Sequence, residues 1–393
     1  MAILGSLIEQ VRGVSYKPED LHTTLNKNSI TLLRANNIKD GQLNFDDVVY
    51  VDRKKVTDKQ LLKAGDILIC ASSGSKELVG KAAYVASDLQ MTFGAFCKVV
   101  RPRIECSRYV GHFFNSPYYR ERITNSAAGA NINNIRNEHI DVLEIAWPSV
   151  EEQRSAVTVL DKVIELISLR KEQLAALDQL VKSRFIELFG SIKNNHQRYP
   201  VVKIGSCAKL QGGFAFKSSD YLNDGIRLVQ ISNVNKDTLD WDSINCVPQA
   251  FLQKYKDFEL HVGELVLAMT RPVIKSLDAV KIATVSENDV PSLLNQRVGR
   301  FVVDRKKLHS VYLMVLCQMP EFREYVEAMS GNSLQPNISS KQVEDYSIVL
   351  PPLALQEQFA AFVQQTDKSK LAIQRSLDEL ETLKKALMQK YFG

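Results

Sequence analysis

The sequence predicts an α+β fold: two tandem repeated α/β domains separated by two long helices, which pair as an antiparallel coiled coil. The first observation behind this is that the chain is written twice. LGSLIEQVRGVSYK from Leu4 returns as IGSCAKLQGGFAFK from Ile204, and the match continues in register. ITLLRANNI from Ile30 reads against IRLVQISNV from Ile226, LKAGDILIC from Leu62 against LHVGELVLA from Leu260, and GKAAYV from Gly80 against VKIATV from Val280. The second observation is that each copy closes on a long charged stretch ending in Phe-Gly, at Phe189-Gly190 and Phe392-Gly393. A period near two hundred residues is too long for a solenoid, so the repeat is a duplicated domain, and a duplicated reader implies a two-part target.

Each copy opens with short β-branched runs separated by Gly, Asn, Asp and Ser. DVVYV from Asp47, GDILICA from Gly65 and FCKVVRP from Phe96 in the first copy, with GELVLAM from Gly263 and GRFVVD from Gly299 in the second, predict strands bounded by turns. Pro117 and Pro320 open helices, because a missing amide donor costs nothing in the first turn. The stretch from Glu151 to Leu188 has neither Gly nor Pro, and its apolar residues recur at three-four spacing: Leu160, Val163, Ile167, Leu174, Leu177, Val181 and Leu188, with Arg170 and Arg184 in the gaps. The second tail repeats this with Val363, Ile373, Leu377, Leu380, Leu387 and Tyr391, interrupted by Thr366, Lys370 and Lys384. Such spacing signals a helix-on-helix seam. A helix of ~38 residues spans ~57 Å, longer than a domain of this size is wide, so each tail is expected to pair with the other and to act as a ruler between domains. The expected boundaries are 1–148 for the first recognition domain, 149–190 for its helix, 191–200 for a linker, 201–350 for the second domain and 351–393 for the second helix.

Bulk properties narrow the class. The 393 residues exceed what one core usually supports. The balance of 50 basic and 45 acidic residues, net +5, is compatible with nucleic acid without requiring it. Six cysteines show no Cys-x-x-Cys spacing and six histidines are scattered singly, so no metal site is expected. No signal core precedes Glu9 and no apolar run approaches the ~20 residues of a membrane span, which predicts a soluble, cytoplasmic protein.

Catalytic motifs fail one by one. Asn115-Ser116-Pro117-Tyr118 resembles the turn with which amino-methyltransferases hold a flipped base, but the repeat answers with Gln318-Met319-Pro320-Glu321, which keeps only the helix-starting proline. Gly74 to Lys81 misses the phosphate-loop spacing and places Ala82 where Ser or Thr should hold magnesium. Polar, amide-rich loops at equivalent places remain. Arg34, Asn36 and Asn37 stand against Gln230, Ser232 and Asn233. Ser73, Ser75 and Lys76 face Thr270, Arg271 and Lys275, and Asn131, Asn133 and Asn134 face Asn332, Ser333, Gln335 and Asn337. Asn295, Gln296 and Arg297 complete the set. Asn, Gln and Arg bind base edges bidentately while Ser, Thr and Lys suit phosphate, so these are the candidate DNA-binding residues, diverged between the copies as two half-sites would require.

The chain resembles the specificity subunit of a type I restriction-modification system. The resemblance rests on Gly213-Phe214-Ala215-Phe216-Lys217-Ser218, on Leu228 to Val234, on Gly65-Asp66-Ile67-Leu68 with Gly263-Glu264-Leu265-Val266, and on the loop from Gly331 to Ser339. Leu350-Pro351-Pro352-Leu353 followed by Glu357-Gln358 carries it most strongly. The first copy departs at Pro148-Ser149-Val150, which lacks the double proline, and at Gly129-Ala130-Asn131, which lacks Gln-Pro. The resemblance implies a non-catalytic reader of a split sequence in double-stranded DNA. It also implies two methyltransferase subunits docking on the helices and two restriction subunits joining them, with S-adenosylmethionine, ATP and Mg2+ on those partners and no cofactor in this chain. The rival readings are a self-contained adenine methyltransferase and a coiled-coil adaptor that binds no DNA.

Overall fold

The computed structural model describes residues 1–126, 133–331 and 334–393. They form two compact units, residues 1–172 with 374–393, and residues 173–373.

In the first unit eight strands build two sheets: β1 (Ile8–Arg12), β2 (Leu21–His22), β3 (Ser29–Leu33), β4 (Val49–Asp52), β5 (Ile67–Cys70), β6 (Ala82–Tyr84), β7 (Met91–Phe93) and β8 (Cys97–Pro102). One sheet is antiparallel in the order β6-β5-β8-β1; the other runs β7-β3-β4-β2, with β7 parallel to β3. All four residues of β5 are buried, which is why its sequence is an unbroken apolar run. Period two divides them: Ile67 and Ile69 join a core with Tyr109 and Phe113, while Leu68 and Cys70 join a separate core with Leu33, Phe93 and Val99. Helices α1 (Ser107–Phe113) and α2 (Pro117–Ser126) cover the first of these cores. The Asn-Ser-Pro-Tyr stretch is a helix start, where buried Ser116 accepts the Tyr119 amide on Oγ at 3.2 Å.

Helix α3 (Val150–Phe189) opens on a capping box: Glu152 Oε2 accepts from the amide and hydroxyl of Ser149 at 2.9 and 2.8 Å. The second unit repeats the plan with β9 (Ala208–Gly212), β10 (Ile226–Val229), β11 (Cys246–Val247), β12 (Leu265–Ala268), β13 (Ile282–Thr284), β14 (Ser292–Leu294) and β15 (Val298–Val303). Its sheets run β9-β15-β12-β13 and β11-β10-β14, the last pair parallel. Helices α4 (Ser310–Cys317), α5 (Pro320–Ser330) and α6 (Leu353–Phe392) follow. Gly13 and Gly213 recur because a Cβ on either would run into the main-chain oxygen of Gly94 or Asn295, where the chain crosses from one sheet to the other.

The long helices pair antiparallel. In the first unit Arg170 Nε donates to Ser376 Oγ at 3.2 Å and Lys171 meets Glu381 at 3.3 Å. In the second, Asp178 meets Lys370 at 2.6 Å and Phe185 lies 5.6 Å from Phe359 between ring centres. Leu160, Val163, Ile167 and Val181 are buried as the spacing predicts, and so are Val363 and Leu377. Leu174, Leu177, Leu188, Ile373, Leu380, Leu387 and Tyr391 are only half-buried. The deeper positions at the helix ends are Phe185, Phe189, Met388 and Phe392, which also enter the domain cores: Phe189 packs on Tyr312, and Phe392 on Tyr109 and Phe113. One repeat correspondence shifts. The Glu-Gln pairs at Glu152-Gln153 and Glu357-Gln358 are not equivalent; the helix starts align Gln153 with Gln356, both buried and both donating Nε2 to a proline carbonyl, of Pro148 and Pro351.

Candidate nucleic-acid interface

Two of the predicted readers have a structural job. Asn37 is fully buried: its Oδ1 accepts the Arg34 amide at 2.7 Å and its Nδ2 donates to the carbonyls of Asn44 and Asp47 at 2.8 and 2.9 Å. Asn233 repeats this with the Gln230 amide and the carbonyls of Asp240 and Ser243, at 3.0, 2.9 and 2.7 Å. With every hydrogen-bonding group of each amide committed to its own loop, neither can reach a base edge, and their identity in both copies reflects loop closure. Gln230 is likewise committed, donating to Tyr221 Oη at 3.2 Å and accepting from Asn245 at 2.7 Å. Asn295 is buried and donates to the same Tyr221 Oη at 3.3 Å. Thr270 is buried and bonds through its hydroxyl to Asn337 Oδ1.

What these residues do is hold three loops of the second unit together. The Met269 amide donates to Arg297 O at 2.7 Å, the Arg271 amide to Pro336 O at 2.7 Å, and the Ile338 amide to Met269 O at 2.8 Å. The result brings Arg271, Lys275, Gln296, Arg297, Gln335 and Asn337 to one exposed loop cluster; Ser232 is exposed on the neighbouring loop after β10. Arg271 and Arg297 sit at φ of 49° and 67°, a left-handed backbone that costs an L residue of this kind roughly 1 kcal/mol or more. Unlike Arg300 and Arg323, which are tied to Glu264 and Asp278, these two arginines and Lys275 form no ion pair among the described residues. Burial and the charge of Arg271 together push the Lys281 ammonium below its usual range, marking a cationic neighbourhood suited to an anionic ligand.

The first unit uses the same wiring. The Ala71 amide donates to Phe96 O at 2.9 Å and the Ile135 amide to Ala71 O at 2.8 Å, so Ala71 corresponds to Met269 and Phe96 to Arg297. Ser73, Ser75, Lys76 and Asn134 belong to this loop cluster; Ser72 and Ser73 pair in register with Asn134 and Asn133. Arg34 and Asn36 are tethered to one carboxylate, Asp47 Oδ2, at 2.9 and 2.7 Å. Asn131, Asn332, Ser333 and the side chain of Asn133 lie outside the described residues. The sequence reading missed Tyr16 and Phe96, which wall a cleft of about 400 Å3 between the Arg34, Ser73 and Phe96 loops. A lone Phe before a strand carries no pattern of its own, and only the repeat register, which sets it opposite Arg297, could have drawn it out.

Among the described residues no three His, Cys, Asp or Glu side chains gather as a metal group would need. The six cysteines are unpaired, five of them buried. No described helix is long and apolar enough to cross a membrane.

Comparison with known proteins agrees with the duplication. The family described as the type I restriction modification DNA specificity domain matches twice, over residues 10–179 and 197–382. The type I restriction enzyme StySPI specificity subunit of Salmonella potsdam is 28% identical, covering 100% of this chain and 88% of that protein. The EcoKI specificity subunit of Escherichia coli K12 is 25% identical with the same coverage. The crystal structure of the S subunit from M. genitalium superposes with a TM-score of 0.54 at 14% identity, covering 100% of this chain and 95% of that one. A structure from work on assembly and conformational transition of the type I system superposes at 0.56 with 17% identity, covering 100% and 96%. Two copies of the family domain, laid over both repeats and their helices, show that this chain belongs to the type I restriction-modification DNA specificity family.

Proposed function

We propose that the two exposed loop clusters each read one part of a split, asymmetric sequence in double-stranded DNA, the first unit through the loops around Ser73, Phe96 and Asn134, the second through Arg271, Gln296 and Arg297, with Asn337 committed to Thr270 and to the Gln335 carbonyl. The observation that carries this reading is a pair of loop clusters held by corresponding main-chain hydrogen bonds, Ala71 to Phe96 with Ile135 to Ala71 and Met269 to Arg297 with Ile338 to Met269, whose exposed tips differ in chemistry. Same scaffold with different tips is what two unequal half-sites demand. The specificity subunit itself is non-catalytic. Two methyltransferase subunits docking on α3 and α6, with two restriction subunits beyond them, would bring S-adenosylmethionine, ATP and Mg2+ and carry the chemistry in the cytoplasm.

The test is binding by the chain assembled with its methyltransferase subunits. Duplexes carrying both half-sites should bind far more tightly than duplexes carrying either alone, with an affinity that falls steeply as salt rises. Equal affinity for a full site and for one half would reject a two-part reader.

A further inference from the structure

The turn between β7 and β8 is Gly94-Ala95-Phe96, and its counterpart between β14 and β15 is Asn295-Gln296-Arg297. The correspondence is structural: Gly94 bridges Val14 as Asn295 bridges Phe214, and the oxygens of Phe96 and Arg297 accept equivalent amides. The exposed tip of one domain is therefore a phenyl ring where the other has a guanidinium. Phe96 is 68% exposed, a large cost in apolar surface for a residue that stacks on no ring among the described residues.

The surroundings differ in the same sense. In the second unit the side chain of Asn295 fills the space behind the turn and joins the Tyr221 and Gln230 hydrogen-bond network. In the first, Gly94 carries no side chain and Tyr16 and Leu32 close over it instead: a Cβ there would lie 3.3 Å from both Tyr16 Cε1 and Leu32 Cδ2. Beside this turn a cleft lies between Tyr16, Ala35 and Phe96, with Ser72 and Ser73 at its edge. An apolar recess flanked by an exposed ring, inside a loop cluster otherwise built of hydroxyls and amides, suits one group on a major-groove base edge. That group is the 5-methyl of thymine, the only apolar substituent presented there.

We infer that Phe96 is a specificity-determining residue that packs on a thymine methyl in the half-site of the first domain, where Arg297 serves the second domain with a hydrogen-bonding tip. This rests on the functional reading above. A wedge between base steps is the competing use of an exposed phenylalanine, but it belongs to minor-groove binders and requires no recess beside the ring.

The experiment uses the chain assembled with its methyltransferase subunits and duplexes in which each thymine of the recognised sequence is replaced, one at a time, by deoxyuridine. One replacement should weaken binding by the wild type about three- to tenfold, the worth of one buried methyl. The same replacement should have no effect on Phe96→Ala and its full effect on Arg297→Ala. Phe96 is exposed, so its loss leaves the cores intact. Insensitivity of the wild type to every deoxyuridine, or equal sensitivity of Phe96→Ala, overturns the inference. A uniform loss in Phe96→Ala across sequences, restored by Phe96→Leu, identifies a wedge and overturns it too. Failure of the wild-type assembly to bind any duplex would instead strike the functional reading on which the inference rests.

Discussion

Asn37 and Asn233 make the same three hydrogen bonds at corresponding places of the two repeats: one accepted from the amide three residues back and two donated to carbonyls seven and ten residues ahead. Truncation strands two partly buried carbonyls and an amide, each worth up to ~1–3 kcal/mol when unsatisfied. Asn37→Ala or Asn233→Ala should therefore cost about 2–4 kcal/mol in the unit that carries it, read by denaturant unfolding with hydrogen exchange to locate the loss. If enough folded protein survives to direct methylation, its target sequence should be unchanged. A changed sequence without loss of stability would mean these amides read DNA after all.

The left-handed arginines separate stability from recognition. Glycine accepts a positive φ at no steric cost, so Arg271→Gly and Arg297→Gly should be more stable than the corresponding alanine variants by about 1 kcal/mol. Both kinds of variant should weaken DNA binding alike. Thermal unfolding and salt-dependent binding measured on all four proteins check this. An arginine that grips phosphate would, on removal, flatten the salt slope by about one unit, whereas one that grips a base would relax the sequence at one position.

Phe392 belongs to the core of the first unit although it follows the second repeat in sequence. It is 4% exposed and packs on Tyr109 with ring centres 5.0 Å apart. Phe392→Ala should destabilise the first unit by about 3–5 kcal/mol, and Phe189→Ala the second by a similar amount, because each removes a buried ring without collapse of the hole. Hydrogen exchange of each variant should show amides of that unit opening first.

Lys98 supplies a pH dependence. Burial holds its ammonium down to about 8, against smaller opposing pulls from Asp141 and Glu138, while Gln10 Oε1 and Asn137 Oδ1 accept its hydrogens at 2.9 and 2.7 Å. The folded pKa lies below the unfolded value of 10.5, so the unfolded chain binds more protons between the two. The burial penalty is thus full below pH 8, and the stability of the first unit should rise as pH climbs from about 8 to 10.5. Lys98→Met should flatten that rise; urea unfolding at a series of pH values decides it.

Much of this is legible in the chain itself. The repeat announces the duplicated domain, and three-four spacing without Gly or Pro announces the paired helices, because both are written in apolar periodicity. The depth of the aromatic helix ends is not, since Phe185, Phe189 and Phe392 are buried by the domain cores they enter. Loop chemistry is half legible. Amide-rich turns mark the right loops, yet sequence cannot tell an amide that closes a turn, such as Asn37 or Asn337, from one on an exposed tip, such as Gln296. Only the register of the repeat hints that an isolated Phe96 stands where the other copy has Arg297.

The central claim is that two equivalent loop clusters read different parts of one sequence. Methylome sequencing of a host carrying the wild type, and of one carrying a variant with Asn295-Gln296-Arg297 replaced by Gly-Ala-Phe, tests it most directly. The wild type should yield a motif of two unequal halves separated by unspecified bases, and the variant should change one half while leaving the other untouched. An uninterrupted or palindromic wild-type motif, or a variant that alters both halves or neither, would contradict it.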